Sequence, residues 1–133
     1  MSKFILIADD EPNIVLSLEF LLQEAGYRTE VARDGQEVLD ALARQVPDLV
    51  LLDVMLPRVS GFDICQRMRE HPAWRGVRIV MLSAKGREAE VAKGLALGAD
   101  AYVTKPFAIK DLMAEVARQL AGPGGSGALP PSG

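Results

Sequence analysis

Short apolar runs alternate along the chain with longer segments in which apolar residues recur at helical spacing. The apolar runs predict five strands, at 3–8, 27–32, 48–56, 78–84 and 101–104. The amphipathic segments predict five helices, at 11–26, 34–45, 61–71, 87–98 and 108–121. Strands that alternate with helices favour a parallel sheet with right-handed crossovers. The pattern therefore predicts a doubly wound α/β fold with a five-stranded parallel sheet and helices on both faces.

Two of these segments carry more specific signals. In the first helix, Pro12 suits the first turn and Gly26 suits the stop. The residues expected on its buried face are Ile14, Leu18, Leu21 and Leu22. The third strand, 48–56, is apolar at almost every position, which is typical of a central strand covered on both faces.

Composition limits the classes of partner. The chain has 133 residues, enough for one domain, and a net charge of −3 gives no footprint for direct nucleic-acid binding. Cys65 is the single cysteine, which excludes an internal disulfide and a cysteine-rich zinc site. The first residues lack a signal-peptide pattern, and no run reaches the roughly 20 apolar residues of a membrane helix. We expect a soluble, cytoplasmic protein that contacts neither membrane nor nucleic acid.

The last segment differs from the rest. Residues 122–133 are rich in Gly, Pro and Ser and contain little core material, so we expect a disordered tail or linker after a folded domain at 1–121.

Polar residues gather where the predicted strands end. Asp9 and Asp10 follow the first strand, Asp53 lies near the end of the third, Ser83 ends the fourth and Lys105 follows the fifth. In open parallel sheets, ligands bind beyond the carboxyl ends of the strands. Asp53 also interrupts an apolar run, and a buried carboxylate is costly unless it is paired or bound to a cation. The strand ends therefore predict a site.

The residue types at this edge suit one chemistry. Three carboxylates concentrate enough charge to bind Mg²⁺, which accepts few protein oxygens and keeps several waters. A carboxylate next to Mg²⁺ can attack a phosphoryl group and form an aspartyl phosphate. Phosphoryl transfer then needs positioning and charge neutralisation, which the Lys105 ammonium and the Ser83 hydroxyl would supply.

The motifs "ADDE", "LLDVMLPRVSG", "MLSA" and "YVTKPF" resemble those of the response-regulator receiver domain of two-component signalling. The resemblance covers residues 3–121, and the four motifs in this order and spacing are specific although each alone is weak. It implies the flavodoxin-like strand order 2-1-3-4-5.

The resemblance also implies a metal site and a phosphoacceptor. Asp53 would accept the phosphoryl group. Asp10 would bind Mg²⁺ directly, Asp9 mainly through water, and the backbone carbonyl of Met55 would complete the ligands from the protein. Mn²⁺ is expected to substitute for Mg²⁺.

Further roles follow from the same resemblance. Lys105 would contact the phosphoryl group, and Ser83 would turn toward it while Tyr102 changes rotamer, so that these two residues form the switch. The small side chain of Ala84 would leave room for the phosphoryl donor. The peptide bond before Pro106 is expected to be cis.

The implied partners are a sensor histidine kinase or phosphotransfer protein as donor and an unidentified downstream protein. No DNA-binding or catalytic output domain is visible in the sequence, so the output is expected to be a partner-binding surface or a domain that this sequence does not include. The downstream protein would bind the surface of the fourth helix, fifth strand and fifth helix. Such a domain catalyses only its own phosphorylation and dephosphorylation, so we do not expect an enzyme.

Some receivers form dimers through this surface by pairing opposite charges. Lys93 and Asp111 fit one of these charge pairs, whereas Ala101 and Glu115 depart from the pattern. We expect a monomer or a weak dimer.

Other interpretations of the acidic residues are open. Asp9 and Asp10 could serve only as charges at a helix N-terminus, and Asp53 could be a core carboxylate paired with Lys105 in a receiver that works by interaction alone. A Mg²⁺-dependent phosphatase of the haloacid-dehalogenase type is a further alternative. It would need a second acid two residues after the nucleophile, where this chain has Met55.

Four other residues have structural explanations. We interpret Gly61 as a backbone requirement of the loop before the third helix. His71 suits a helix cap better than a phosphoryl carrier, Cys65 suits core packing, and Trp74 suits a loop anchor.

Met55 and Lys85 occupy positions that tune dephosphorylation in the family that the chain resembles. A thioether cannot orient an attacking water well, and a lysine at neutral pH is no base. Substituting Met55→Asn should therefore speed the loss of the phosphoryl group, measured as decay of the phosphorylated mass after the donor is removed. An unchanged decay rate would count against this role.

Overall fold

The computed structural model describes residues 2–84 and 88–121, in which five strands and five helices alternate. The predictions for Lys85 and for the tail 122–133 lie outside these residues. The strands are β1 (Phe4–Ala8), β2 (Arg28–Ala32), β3 (Leu49–Asp53), β4 (Arg78–Ala84) and β5 (Ala101–Lys105). The helices are α1 (Pro12–Glu24), α2 (Gly35–Arg44), α3 (Gly61–Glu70), α4 (Glu88–Ala96) and α5 (Ile109–Ala121).

All strand pairs are parallel, and their order is β2-β1-β3-β4-β5, which confirms the predicted fold. The register brings the carboxyl ends of the strands to one edge of the sheet. Ala8 pairs with Leu52, and Ala84 pairs with Lys105. The strand order reverses between β1 and β3, so a crevice is expected beyond the ends of these two strands.

The sheet separates two apolar layers because successive strand residues face opposite sides. In β1, Ile5 and Ile7 pack with buried residues of α1 and α5, whereas Leu6 and Ala8 pack with α2 and α3. Every residue of β1 and β3 is buried, as expected for central parallel strands.

The buried face of α1 differs from the predicted one. Val15, Leu18 and Leu22 are buried, whereas Ile14 and Leu21 are only half-buried. The buried face is therefore rotated slightly about the helix axis relative to the predicted one. Spacing alone does not distinguish an apolar residue at the border of a helix face from one at its centre. The helix stops as predicted: Gly26 has a φ of 97°, which a residue without Cβ adopts freely.

The third strand is shorter than predicted. It ends at Asp53, and the next residues form a turn in which Val54 and Leu56 are buried while the Met55 side chain is 66 % exposed. Asp53 therefore closes the strand instead of interrupting it. The apolar run continues past the strand because the turn itself contributes two side chains to the core.

The predicted structural residues lie as follows. His71 ends α3, its Nδ1 accepts a hydrogen bond from Ala73 N at 3.1 Å, and its ring stacks on Trp74 with centroids 3.8 Å apart. Trp74 is half-buried against the core. Cys65 is fully buried, and burial raises the pKa of its thiol. These positions agree with capping, loop anchoring and packing.

Gly61 allows the loop after β3 to fold back against the strand. Its N–H donates to Val54 O at 3.0 Å, and a Cβ at this position would overlap the Asp53 carbonyl oxygen and lie 2.9 Å from Val54 Cα. Because these neighbours are backbone atoms, they cannot move aside without displacing the end of β3.

We predict that Gly61→Ala lowers the free energy of unfolding by about 2–3 kcal/mol, measured by urea denaturation. Gly76→Ala is the matched control, because a Cβ there meets no atom within 4 Å and its effect should stay within about 1 kcal/mol. Equal stability of the two variants would show that the close approach at Gly61 is not required.

Candidate functional site

Three carboxylates meet at the carboxyl edge of the sheet. Asp9 and Asp10 follow β1, Asp53 ends β3, and one carboxylate oxygen from each lies within 4.8 Å of the others. Asp9 is fully buried, Asp53 is 5 % exposed, and Asp10 is exposed to solvent. The fold thus brings together the three acids that the sequence singled out, one of them accessible to solvent.

Lys105, the last residue of β5, provides a positive charge to this group. Its ammonium nitrogen lies 2.7 Å from Glu11 Oε1, 2.8 Å from Asp9 Oδ2 and 3.3 Å from Asp53 Oδ2. Lys105 and Asp9 form an ion pair, but the angle at which the two atoms meet is unfavourable for a hydrogen bond. Burial lowers the pKa of Lys105, but the carboxylates outweigh it and keep the pKa above its ordinary value. The lysine therefore stays charged at neutral pH.

The charge on Asp53 is poorly compensated. Burial is the main reason why the pKa of Asp53 lies above 3.8, and the Asp9 carboxylate raises it further. A hydrogen bond from Met55 N to Asp53 Oδ1 at 3.0 Å and the Lys105 ammonium lower the pKa without cancelling the effect of burial. Additional positive charge at this edge would favour the ionised form.

Helix capping explains only part of the arrangement. Asp9 Oδ1 accepts a hydrogen bond from Glu11 N at 2.9 Å, so this oxygen does serve the start of α1. The N-cap residue itself is Glu11, and its side chain makes no capping hydrogen bond. The other Asp9 oxygen and the Asp53 carboxylate face Lys105 instead, so the helix does not account for the cluster.

The two predicted switch residues lie beside the cluster, next to α4. Ser83 in β4 is 1 % exposed, and its hydroxyl donates to Glu90 Oε1 at 2.8 Å. Tyr102 in β5 is half-buried, and its phenol oxygen lies near Ser83 but makes no hydrogen bond of good geometry within 2–84 and 88–121. Burial raises the pKa of Tyr102, and the Glu90 carboxylate adds to the rise.

Two acids were missed by the sequence analysis. Glu11 contacts Lys105 from the start of α1, and Glu90 contacts Ser83 from the first turn of α4. Both belong to helices, whose rotation decides which side chains reach the strand ends. The sequence offered one indication that Glu11 belongs to the site, because this residue directly follows the two aspartates.

The remaining predicted residues occupy the expected edge. Ala84 ends β4, and its pairing partner in β5 is Lys105. The Lys105–Pro106 peptide bond is cis, in agreement with the prediction. The prediction about the Ala84 side chain, like that for Lys85, falls outside the parts that the structure describes.

The family model of the response regulator receiver domain matches residues 5–117. The chain belongs to this family. The match runs from the second residue of β1 through the other four strands and most of α5, so the receiver domain accounts for nearly the whole described fold. The membership argues against a phosphatase of the haloacid-dehalogenase type.

Relatives and solved structures agree with the family. The chain is 42 % identical over 116 residues to the alkaline phosphatase synthesis transcriptional regulatory protein PhoP of Bacillus subtilis, covering 87 % of this chain and 48 % of PhoP. A response-regulator crystal structure from Chloroflexus aurantiacus superposes with a TM-score of 0.88 at 34 % identity, covering 92 % of this chain and all of that one. The chain spans about half the length of the curated relatives that it matches.

A further solved structure carries information on metal. The receiver domain of a sensor histidine kinase from Pseudomonas aeruginosa has a magnesium ion coordinated in its active-site cleft. It superposes with a TM-score of 0.83 at 27 % identity, and the alignment covers 92 % of this chain and all of that one.

Within the described part of our receiver domain, no helix is long and apolar enough to cross a membrane.

We predict that Asp53→Asn raises the Tm by a few degrees at neutral pH in the presence of a metal chelator, because it removes a buried charge with a raised pKa. In the wild type, the folded chain binds the Asp53 proton more tightly than the unfolded chain does. Stability therefore falls as the pH rises from the ordinary carboxyl value of 3.8 through the raised one. The gain of the variant should appear across this interval and vanish below it.

The matched control is Asp40→Asn, at an exposed acid on α2 that accepts from Gln36 at 3.0 Å. It should leave the Tm nearly unchanged at every pH. A lower Tm for Asp53→Asn than for wild type would mean that the Lys105 ion pair outweighs burial, contrary to this account.

Proposed function

We propose that this receiver domain, within residues 1–121, accepts a phosphoryl group on Asp53. The observation that carries the proposal is the cluster itself: a nearly buried Asp53 carboxylate, two neighbouring acids within 4.8 Å, and the Lys105 ammonium 3.3 Å away. The raised pKa of Asp53 adds support, because a poorly compensated carboxylate is a better nucleophile than one held by strong hydrogen bonds.

The donor set fits a hard divalent cation. Asp9, Asp10 and Asp53 offer carboxylate oxygens close together, and Asp10 is open to solvent, which suits an ion that keeps several waters. We propose Mg²⁺, with Mn²⁺ as a substitute, and the Met55 carbonyl as a further ligand. When bound, Mg²⁺ would neutralise charge on the phosphoryl oxygens. The magnesium ion in the Pseudomonas aeruginosa receiver supports this choice.

The residues of the chain have distinct roles in the proposed transfer. One Asp53 carboxylate oxygen forms a bond to phosphorus, while the bond from phosphorus to the donor's leaving group breaks and the leaving group keeps the electron pair. The Lys105 ammonium replaces one of its carboxylate contacts with a contact to a phosphoryl oxygen. It can reach that oxygen because it already lies 3.3 Å from Asp53 Oδ2. The Ser83 hydroxyl donates to another phosphoryl oxygen, and Tyr102 occupies the space that Ser83 leaves.

The proposed donor is the phosphohistidine of a sensor kinase or phosphotransfer protein, and the proposed output is a partner that binds the face of α4, β5 and α5. The domain would catalyse only its own phosphorylation and dephosphorylation, which distinguishes it from an enzyme that turns over a substrate. We also propose a cytoplasmic location, in keeping with membership in the response regulators.

The charges on the α4-β5-α5 face support a monomer or weak dimer. The Lys93 ammonium lies over the Phe62 ring, 4.6 Å from its centroid, so it is directed toward α3. Glu115 is paired with Arg118 and Gln119 on its own helix. Lys93, which a cross-paired dimer would use, is therefore engaged within the chain, and Glu115, which departs from the dimer pattern, is paired on its own helix.

The test is the intact mass after incubation with acetyl phosphate or phosphoramidate and Mg²⁺. We expect one phosphoryl adduct on the wild type, dependent on Mg²⁺, absent from Asp53→Ala and retained by the control Asp40→Ala. No adduct on the wild type, despite demonstrated Mg²⁺ binding and several donors, would instead favour a receiver that works by interaction alone.

A further inference from the structure

The contact between Ser83 and Glu90 joins the candidate site to α4. Ser83 lies on β4 and is almost fully buried, while Glu90 is half-buried in the first turn of α4. The hydroxyl oxygen lies 2.8 Å from Glu90 Oε1, the distance of a good hydrogen bond. Glu90 takes no part in the proposed phosphoryl transfer itself.

A serine hydroxyl has one proton, so it donates to one strong acceptor at a time. In this structure the acceptor is a carboxylate, and hydrogen bonds to charged acceptors are about twice as strong as those between neutral groups. In the proposed phosphorylated state the acceptor is a phosphoryl oxygen on Asp53. The two acceptors therefore compete for the same proton.

Helix α4 also touches the second switch residue. A Cβ on Gly94 would lie 2.8 Å from Tyr102 Cε2 and 2.8 Å from Met81 Sδ, so the glycine lets the helix pack directly on the phenol ring. Through Glu90 and Gly94, α4 contacts Ser83 and Tyr102 together. Both switch residues are therefore in contact with the helix.

We propose that Glu90 is a positioning residue of the switch, which holds the Ser83 hydroxyl toward α4 in the resting protein and competes with the phosphoryl group for it. This inference rests on the proposed function, since it assumes that Asp53 is the acceptor. It assigns a role in linking the phosphorylation site to α4 to the Ser83–Glu90 hydrogen bond. When Ser83 turns away, the first turn of α4 loses this contact.

The physical consequence is a shift in population. Only molecules whose Ser83 hydroxyl is available to the phosphoryl group react well, and the bond to Glu90 lowers their fraction. Removing the acceptor raises that fraction before any donor binds. We expect Glu90→Ala to be phosphorylated by acetyl phosphate about tenfold faster than wild type.

The experiment compares adduct formation rates for wild type, Glu90→Ala, Glu90→Gln, Ser83→Ala and the Ser83→Ala/Glu90→Ala double variant. Glu88→Ala is the control for charge, because Glu88 is an exposed acid in the same helical turn. Glu90→Gln keeps an acceptor oxygen without the charge, so its rate should lie between those of wild type and Glu90→Ala. Urea denaturation of the wild type and the three alanine variants of the Ser83–Glu90 cycle, without donor, measures the coupling in the resting state.

The proposal predicts that Glu90→Ala accelerates the reaction, that Glu88→Ala does not, and that the Glu90 effect disappears when Ser83 is already alanine. It also predicts non-additive losses of stability in the resting protein. Equal acceleration by Glu90→Ala and Glu90→Gln, or an undiminished effect in the Ser83→Ala background, would assign the effect to charge and overturn it. Additive stability changes would also overturn it. The absence of any adduct on wild type would instead refute the proposed function, and the inference with it.

Discussion

Among residues 2–84 and 88–121, the Lys105 ammonium faces several carboxylates at the carboxyl edge of the sheet, and the site depends on that imbalance. Lys105 contacts Asp9, Glu11 and Asp53, while Asp10 adds a fourth negative charge nearby. Burial removes water from the Asp53 carboxylate and so disfavours its charged form, which keeps its pKa raised even with a cation beside it. The folded protein is therefore expected to be stabilised when a further cation binds at this site.

The rest of the architecture serves to hold this cluster in place. Parallel pairing brings the last residues of β1, β3 and β5 to one edge, and the central strands are buried on both faces so that they cannot shift easily. Gly61 lets the following loop pack against the end of β3, next to Asp53. On the far side of β4, α4 packs against Ser83 and Tyr102. The same edge thus carries the charged cluster at the ends of β1, β3 and β5, and the contacts with α4 at Ser83 and Tyr102.

The sequence predicted the fold and the members of the cluster that lie on strands. Asp53 and Lys105 could be placed because parallel strands share an edge, whatever the details of packing. Glu11 and Glu90 could not be placed, because a helical residue reaches the site only at one rotation of its helix. The same limit explains why Val15 was missed on the buried face of α1. Apolar patterning also overextended β3, since it does not distinguish a strand from a buried turn.

The most direct test of the charge imbalance is the free energy of unfolding with and without Mg²⁺ at constant ionic strength, with K⁺ as the reference ion. An ion that binds only the folded chain stabilises it by RT ln(1 + [Mg²⁺]/Kd). The account predicts that Mg²⁺ stabilises the wild type and Asp40→Asn, and stabilises Asp10→Asn much less. Equal stability in Mg²⁺ and K⁺ would contradict it, because the acidic cluster would then hold no divalent cation.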